Sequence, residues 1–131
     1  MVSLEQIRAY NAFQAAQQVG ANKDFLAFAR NLPSLFQNNG LLATWAFMLA
    51  KAKKENYTIN IMNTLLEHFR TPQIGLVPND QKTAEEVFNA VWTQASFQSQ
   101  QLMNLTAEAI AFSGWIKRAA EALCDTEGGQ G

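Results

Sequence analysis

The chain has 131 residues and a formal net charge of −1, with 48% apolar and 16% charged residues. That length suits one hydrophobic core, and the surplus of apolar over charged residues excludes a largely disordered chain. A charge so close to zero excludes whole-molecule attraction to nucleic acid.

The charge is unevenly spread. Residues 1–70 hold seven Lys/Arg against four Asp/Glu, and residues 71–131 hold three against seven, so a +3 half adjoins a −4 half. Any contact with phosphate must therefore be local. The single cysteine, Cys124, has no partner for an internal disulfide. No signal-peptide pattern opens the sequence, and its longest mostly apolar stretch, residues 41–50, is far shorter than the ~20 residues of a membrane span. A soluble, cytoplasmic protein is expected.

The pattern is helical throughout. Ser3 and Gln6 form a capping box for a first helix that reaches Gly20, with Ala9, Ala12, Phe13, Ala16 and Val19 on one face. Asn22 caps a second helix over residues 23–31. Pro33 then interrupts and opens a short helix over residues 33–38. Asn39-Gly40 is a stop signal. The next helix, residues 41–54, is apolar almost all round (Leu41, Leu42, Trp45, Ala46, Phe47, Met48, Leu49), which predicts burial on nearly every side.

A further helix covers residues 58–69, through Ile61, Met62, Leu65, Leu66 and Phe69. Pro72, Gly75 and Pro78 mark residues 71–80 as a long loop. Thr83 and Glu86 make a second capping box, and the helix it opens runs on through the glutamine-rich stretch to Asn104. Thr106 caps the last helix, with Glu108 near the positive end of its dipole. The fold class is all-α, a single compact bundle of five to six helices over residues 1–124. Residues 125–131, polar and Gly-rich, form a disordered tail.

No catalytic constellation is visible. His68 is the only histidine and lies a quarter-turn from Glu67, so the two are not a dyad. A plain helical histidine near a C-terminal turn explains it. One Cys and one His cannot hold zinc, and no Gly-rich phosphate loop precedes a helix. No enzymatic activity, cofactor or metal is expected. A helix-turn-helix needs a polar recognition helix, and the helix after Gly40 is apolar.

Binding is carried by cations. Lys51, Lys53 and Lys54 close the fourth predicted helix, either as partners of the helix dipole or as contacts to a phosphate backbone. Lys117 and Arg118 break the apolar run of the last helix, and Arg8 lies in the first. Most of the fourteen aromatic residues sit at core spacing; Tyr10 and Tyr57 are the least settled.

Three ordered segments resemble the small subunit of the type III-B CRISPR (Cmr) effector complex. They are Leu4 to Ala12, with Arg8-Ala9-x-x-Ala12; the Leu32-Pro33…Asn39-Gly40-Leu41…Ala46-Phe47 block, continuing to Lys51; and Leu105-Thr106-Ala107-Glu108-Ala109, continuing through Trp115-Ile116-Lys117-Arg118 to Ala120-Glu121-Ala122-Leu123. Two departures are Ala119, where the family often has a bulky aromatic, and Gly114, which interrupts the last helix.

The resemblance implies a non-catalytic helical subunit in antiviral defence. Copies would stack weakly, head to tail, beside the backbone RAMP subunits that carry the guide RNA. With the large polymerase-like subunit they would line the channel for the guide–target RNA duplex. Matching positions make Lys51, Lys117 and Arg118 the leading phosphate contacts, with Arg8, Lys53 and Lys54 behind them. Two other readings remain: a helical protein–protein adaptor that never meets nucleic acid, and the small subunit of a type III-A complex.

Overall fold

The first helix is fixed by its N-terminal residues. In the computed structural model, which describes residues 2–124, the Ser3 hydroxyl accepts from the Gln6 backbone N–H at 3.1 Å, and the Gln6 side chain accepts from the Ser3 N–H at 2.8 Å. Helix α1 (Leu4–Val19) follows from this box and stops at Gly20, whose φ is +71°. Asn22 then caps α2 (Lys23–Ala52), its side-chain oxygen accepting from the Phe25 N–H at 2.9 Å.

Helix α2 is two limbs meeting at Gly40, where φ is 81° and ψ is 175°. The chain reverses there. Phe28 and Phe47 lie nineteen positions apart, which on a straight helix means about 28 Å, yet their rings stack at 6.3 Å. Thr44 donates its hydroxyl to the Leu35 carbonyl at 3.0 Å, tying the limbs together near the turn. The predicted stop at Gly40 is therefore real, whereas the predicted break before Pro33 is not: the first limb runs through it. A proline removes one N–H bond and crowds one carbonyl, and packing of Phe25, Leu26, Phe28, Ala29, Leu32 and Phe36 on that limb outweighs the loss.

The second limb is not enclosed as its composition suggested. Leu41, Thr44, Trp45 and Met48 are buried at helical spacing, while Ala43, Ala46, Ala50 and Phe47 face outward, Phe47 with 51% exposure. The limb packs through one stripe only, and its apolar character continues onto the surface.

Helix α3 (Asn56–Arg70) starts two residues before its expected position. The loop after it closes on itself, because the Leu76 and Val77 N–H groups both donate to the Phe69 carbonyl, at 3.0 and 3.3 Å. Arg70 holds its far end through the Lys82 carbonyl at 2.6 Å and Asp80 at 3.4 Å. The Thr83–Glu86 box opens α4 (Ala84–Val87), which passes into a single π turn, Phe88–Trp92, and ends. Continuation to Asn104 is overturned: the Thr93 hydroxyl and Gln94 amide turn back onto the Phe88 and Asn89 carbonyls and terminate the helix.

Helix α5 (Ser99–Leu123) begins instead at Gln98, whose N–H donates to the Gln101 side-chain oxygen at 3.0 Å. Thr106 lies inside it, bonded to the Leu102 carbonyl, and is no cap. Gly114 does not interrupt it either. The expected tail, residues 125–131, lies outside the described residues. The described residues are all-α, with five helices and no strand.

Helix α5 packs along α2 and α1, and α3 packs against α2. The Asn22 N–H donates to the Cys124 carbonyl at 3.2 Å, joining the start of α2 to the end of α5. At the other side of the core Trp45 meets Trp92 edge-on at 4.8 Å and donates its indole N–H to the Ala84 carbonyl at 3.0 Å.

Gly40 occupies a backbone region essentially reserved for glycine, with open space where a Cβ would project. Gly40→Ala should therefore cost about 1–3 kcal/mol through the backbone alone. Urea unfolding should show a lower midpoint with an unchanged slope.

Candidate nucleic-acid interface

The ion pairs sort nine of the chain's ten cations into two groups. Arg8, Arg30, Arg70 and Lys82 each hold a carboxylate. Lys51, Lys53, Lys54, Lys117 and Arg118 hold none among the described residues.

Arg8 departs furthest from its expected place. It grips Glu108 with two nearly parallel bonds, Nε at 2.7 Å and Nη2 at 2.8 Å, and its side chain keeps 21% exposure. The same carboxylate takes a third bond from His68 Nε2 at 2.9 Å. The Asn11 amide N–H donates to His68 Nδ1 at 2.9 Å, which places the ring proton on Nε2, facing Glu108. The imidazole stacks on Phe112 at 3.7 Å, nearly parallel. Helices α1, α3 and α5 are thus pinned at one point, and the guanidinium is paired with a carboxylate at a half-buried position.

Glu108 is not a first-turn dipole residue; His68 does lie in the last turn of α3, as expected, but its partner there is a buried carboxylate. Both are buried partners. Burial pushes the Glu108 pKa upward, but the hydrogen bonds from Arg8 and His68 and the charge of Arg8 outweigh it and bring it down to about 2. The sequence held one signal for this network: Arg8, Glu108 and His68 each break an otherwise apolar or small helical face. Nothing in a single sequence says that they meet.

Lys51 ends the second limb of α2. Its ammonium lies 6.0 Å from the centre of the Phe28 ring and 5.8 Å from that of Tyr57, within cation–π range. Lys53 and Lys54 follow on the exposed surface. Beside Lys51 a cleft of about 460 Å³ is lined by both limbs, Phe28 from the first and Phe47 from the second, and by Tyr57. The first limb also lines it with the polar residues Asn31, Ser34 and Asn38, the carboxylate of Asp24, and the apolar Ala27 and Leu35.

Lys117 and Arg118 form a separate cluster on α5. The Arg118 guanidinium lies 5.1 Å from the Trp115 ring centre, and its Nη1 passes 3.3 Å from where a Gly114 Cβ would sit. A side chain at Gly114 would make the Arg118 guanidinium shift by a few tenths of an ångström. The departure noted at Gly114 has a packing role.

A larger groove of about 690 Å³ lies between α1 and α3. Amides line it, including Asn11, Gln14, Gln18, Asn60 and Asn63, and no Lys or Arg does. It offers nothing to neutralise a phosphate.

Fold and surface together define a class: an all-helical protein with unpaired cations on two helices. The family model of the CRISPR-associated protein Cas_Cmr5 matches residues 4–123, and the chain belongs to that family of Cmr-type small subunits. In fold it is similar to the crystal structure of a CRISPR-associated Cmr5 family protein from Thermus thermophilus. The TM-score is 0.72 at 20% identity, over 95% of this chain and 100% of that one. No curated protein matches the chain.

The lowered Glu108 pKa makes an acid-stability prediction. Its contribution is complete above the ordinary carboxylate range and is lost as pH falls through about 2. Over that interval the wild type should lose up to about 3 kcal/mol that Glu108→Gln does not lose. Urea unfolding at stepped pH measures the difference.

Proposed function

We propose that this Cmr-family chain acts in antiviral defence as a non-catalytic small subunit of a type III-B CRISPR effector. Several copies stack head to tail in the cytoplasm, beside the RAMP backbone and the large polymerase-like subunit, and hold the guide–target RNA duplex through phosphates. The observation that carries this reading is the set of cations without carboxylate partners: Lys51, Lys53, Lys54, Lys117 and Arg118. They fall at positions where the Cmr resemblance places RNA contacts. Arg8 drops out of that set, because Glu108 already holds it.

The division of charge fits a subunit that works in numbers. Each phosphate neutralised contributes a salt slope of only ~0.7 for a single strand. One copy carries too few free cations for tight binding, whereas copies on a shared scaffold gain from effective concentration. Exposed Tyr10 and Met103, on other parts of the surface, offer apolar contacts to neighbouring subunits.

Two measurements test the proposal. The isolated chain should bind RNA feebly at physiological salt. In an assembled complex, Lys51→Glu with Lys117→Glu should weaken capture of target RNA and flatten its salt dependence. Unchanged capture would mean a protein–protein adaptor whose lysines never meet nucleic acid.

A further inference from the structure

Aromatic residues at helical spacing normally belong to the core, and Phe28 does: it is buried. Phe47 is different. One of its faces lies against Phe28, with 18° between the ring planes, and the side chain is still 51% exposed. A half-stacked ring on the rim of a cleft is a flat apolar surface with an unused side. Immediately along the cleft sits Lys51, held over Phe28 and Tyr57, and Lys53 and Lys54 extend the positive charge outward. Asp24, one turn before Phe28, is the acidic residue among those lining the cleft. Lys51 is the lysine that lines the cleft, and Glu55 follows Lys53 and Lys54 in the chain.

We propose that this cleft seats one unpaired nucleotide of a single-stranded RNA, its base stacked on Phe47 and its phosphate held by Lys51. The inference rests on the RNA-facing reading above and adds to it a base contact, a strand preference and a place. The chemistry of the cleft selects this occupant. A ring face with an adjacent ammonium matches a unit that carries a planar base and a phosphate together, and base–aromatic stacking tolerates any base. The polar lining from Ser34 and Asn38 can meet base edges without demanding a particular one. At about 460 Å³ the cleft is within the range of small-ligand sites. An apolar helix from a second copy would match Phe47 but would leave the lysine cluster without a counter-charge.

Binding of the isolated full-length chain should be measured at low salt against a short oligoadenylate, the same backbone without bases, and a blunt RNA duplex. The wild type should prefer oligoadenylate to the abasic strand by about 5- to 150-fold, the worth of one stacked base. Phe47→Ala should erase that preference and leave the salt slope unchanged. Lys51→Gln should weaken both strands and lower the slope by ~0.7. Phe47→Leu, which keeps an apolar side chain on the limb, should also lose the preference, separating stacking from any loss of fold.

Equal affinity for the two strands, an unaltered preference in Phe47→Ala, or no RNA bound at low salt would each overturn the base site. So would a Phe47→Ala variant that loses self-association in sedimentation while binding RNA as before, since a second copy would then occupy the cleft. None of these results touches target capture by the assembled complex, on which the phosphate-holding role stands separately.

Discussion

The reversal at Gly40 is the constraint on which the useful surface depends. A backbone turned to φ 81° and ψ 175° lets two limbs of one long helical segment lie side by side. The reversal therefore brings Lys51 to Phe28 and opens the cleft between the limbs. A straight helix through Leu41 would carry Phe47 and Lys51 tens of ångströms away from Phe28, and the cation would lose that ring. The glycine sets where the charge is presented, and the apolar stripe Leu41, Thr44, Trp45 and Met48 sets how firmly.

A second constraint decides which charges remain available. Burying Glu108 at 9% side-chain exposure is unfavourable unless its lone pairs are filled, and Arg8 with His68 fills them. The requirement consumes Arg8. Arg70 is likewise consumed in closing the loop between α3 and α4, where it holds the Lys82 carbonyl and Asp80. Structural duty thus removes cations near the core, and those left without carboxylates lie at a helix end and on an outer helical face. Sequence position alone cannot make this distinction, because Arg8 and Arg118 are the same residue type within similar helical patterns.

Much of the fold was legible. The Ser3–Gln6 and Thr83–Glu86 boxes, the Asn22 cap and the Gly40 stop are local signals, each satisfied by atoms three or four residues away, and each stands as expected. Pro33 misled because its cost is local while the packing that offsets it comes from α5 and the second limb. Gln98–Gln101 escaped notice because glutamine is a weaker capping residue than Ser or Thr, so the preceding pattern reads as continuous. The site was half legible. Lys51 and Lys117–Arg118 stood out as breaks in apolar runs, but the Glu108 network joins positions up to 100 residues apart. Periodicity carries no information about such pairs. The exposure of Phe47 was hidden for the opposite reason: an apolar residue among apolar neighbours looks like core whichever way it faces.

That ambiguity bears on function. A near-neutral chain cannot draw nucleic acid from a distance, so on the proposed reading its cations would act only once a strand is already close. In such a regime short-range contacts decide the outcome: an ammonium beside a ring, or a guanidinium over Trp115. Holding these long side chains against aromatic surfaces reduces the rotamer entropy lost when they meet a phosphate. Weak long-range attraction and preorganised local contact suit a subunit positioned by its neighbours, because the scaffold supplies proximity and the residues themselves need only complete the contact.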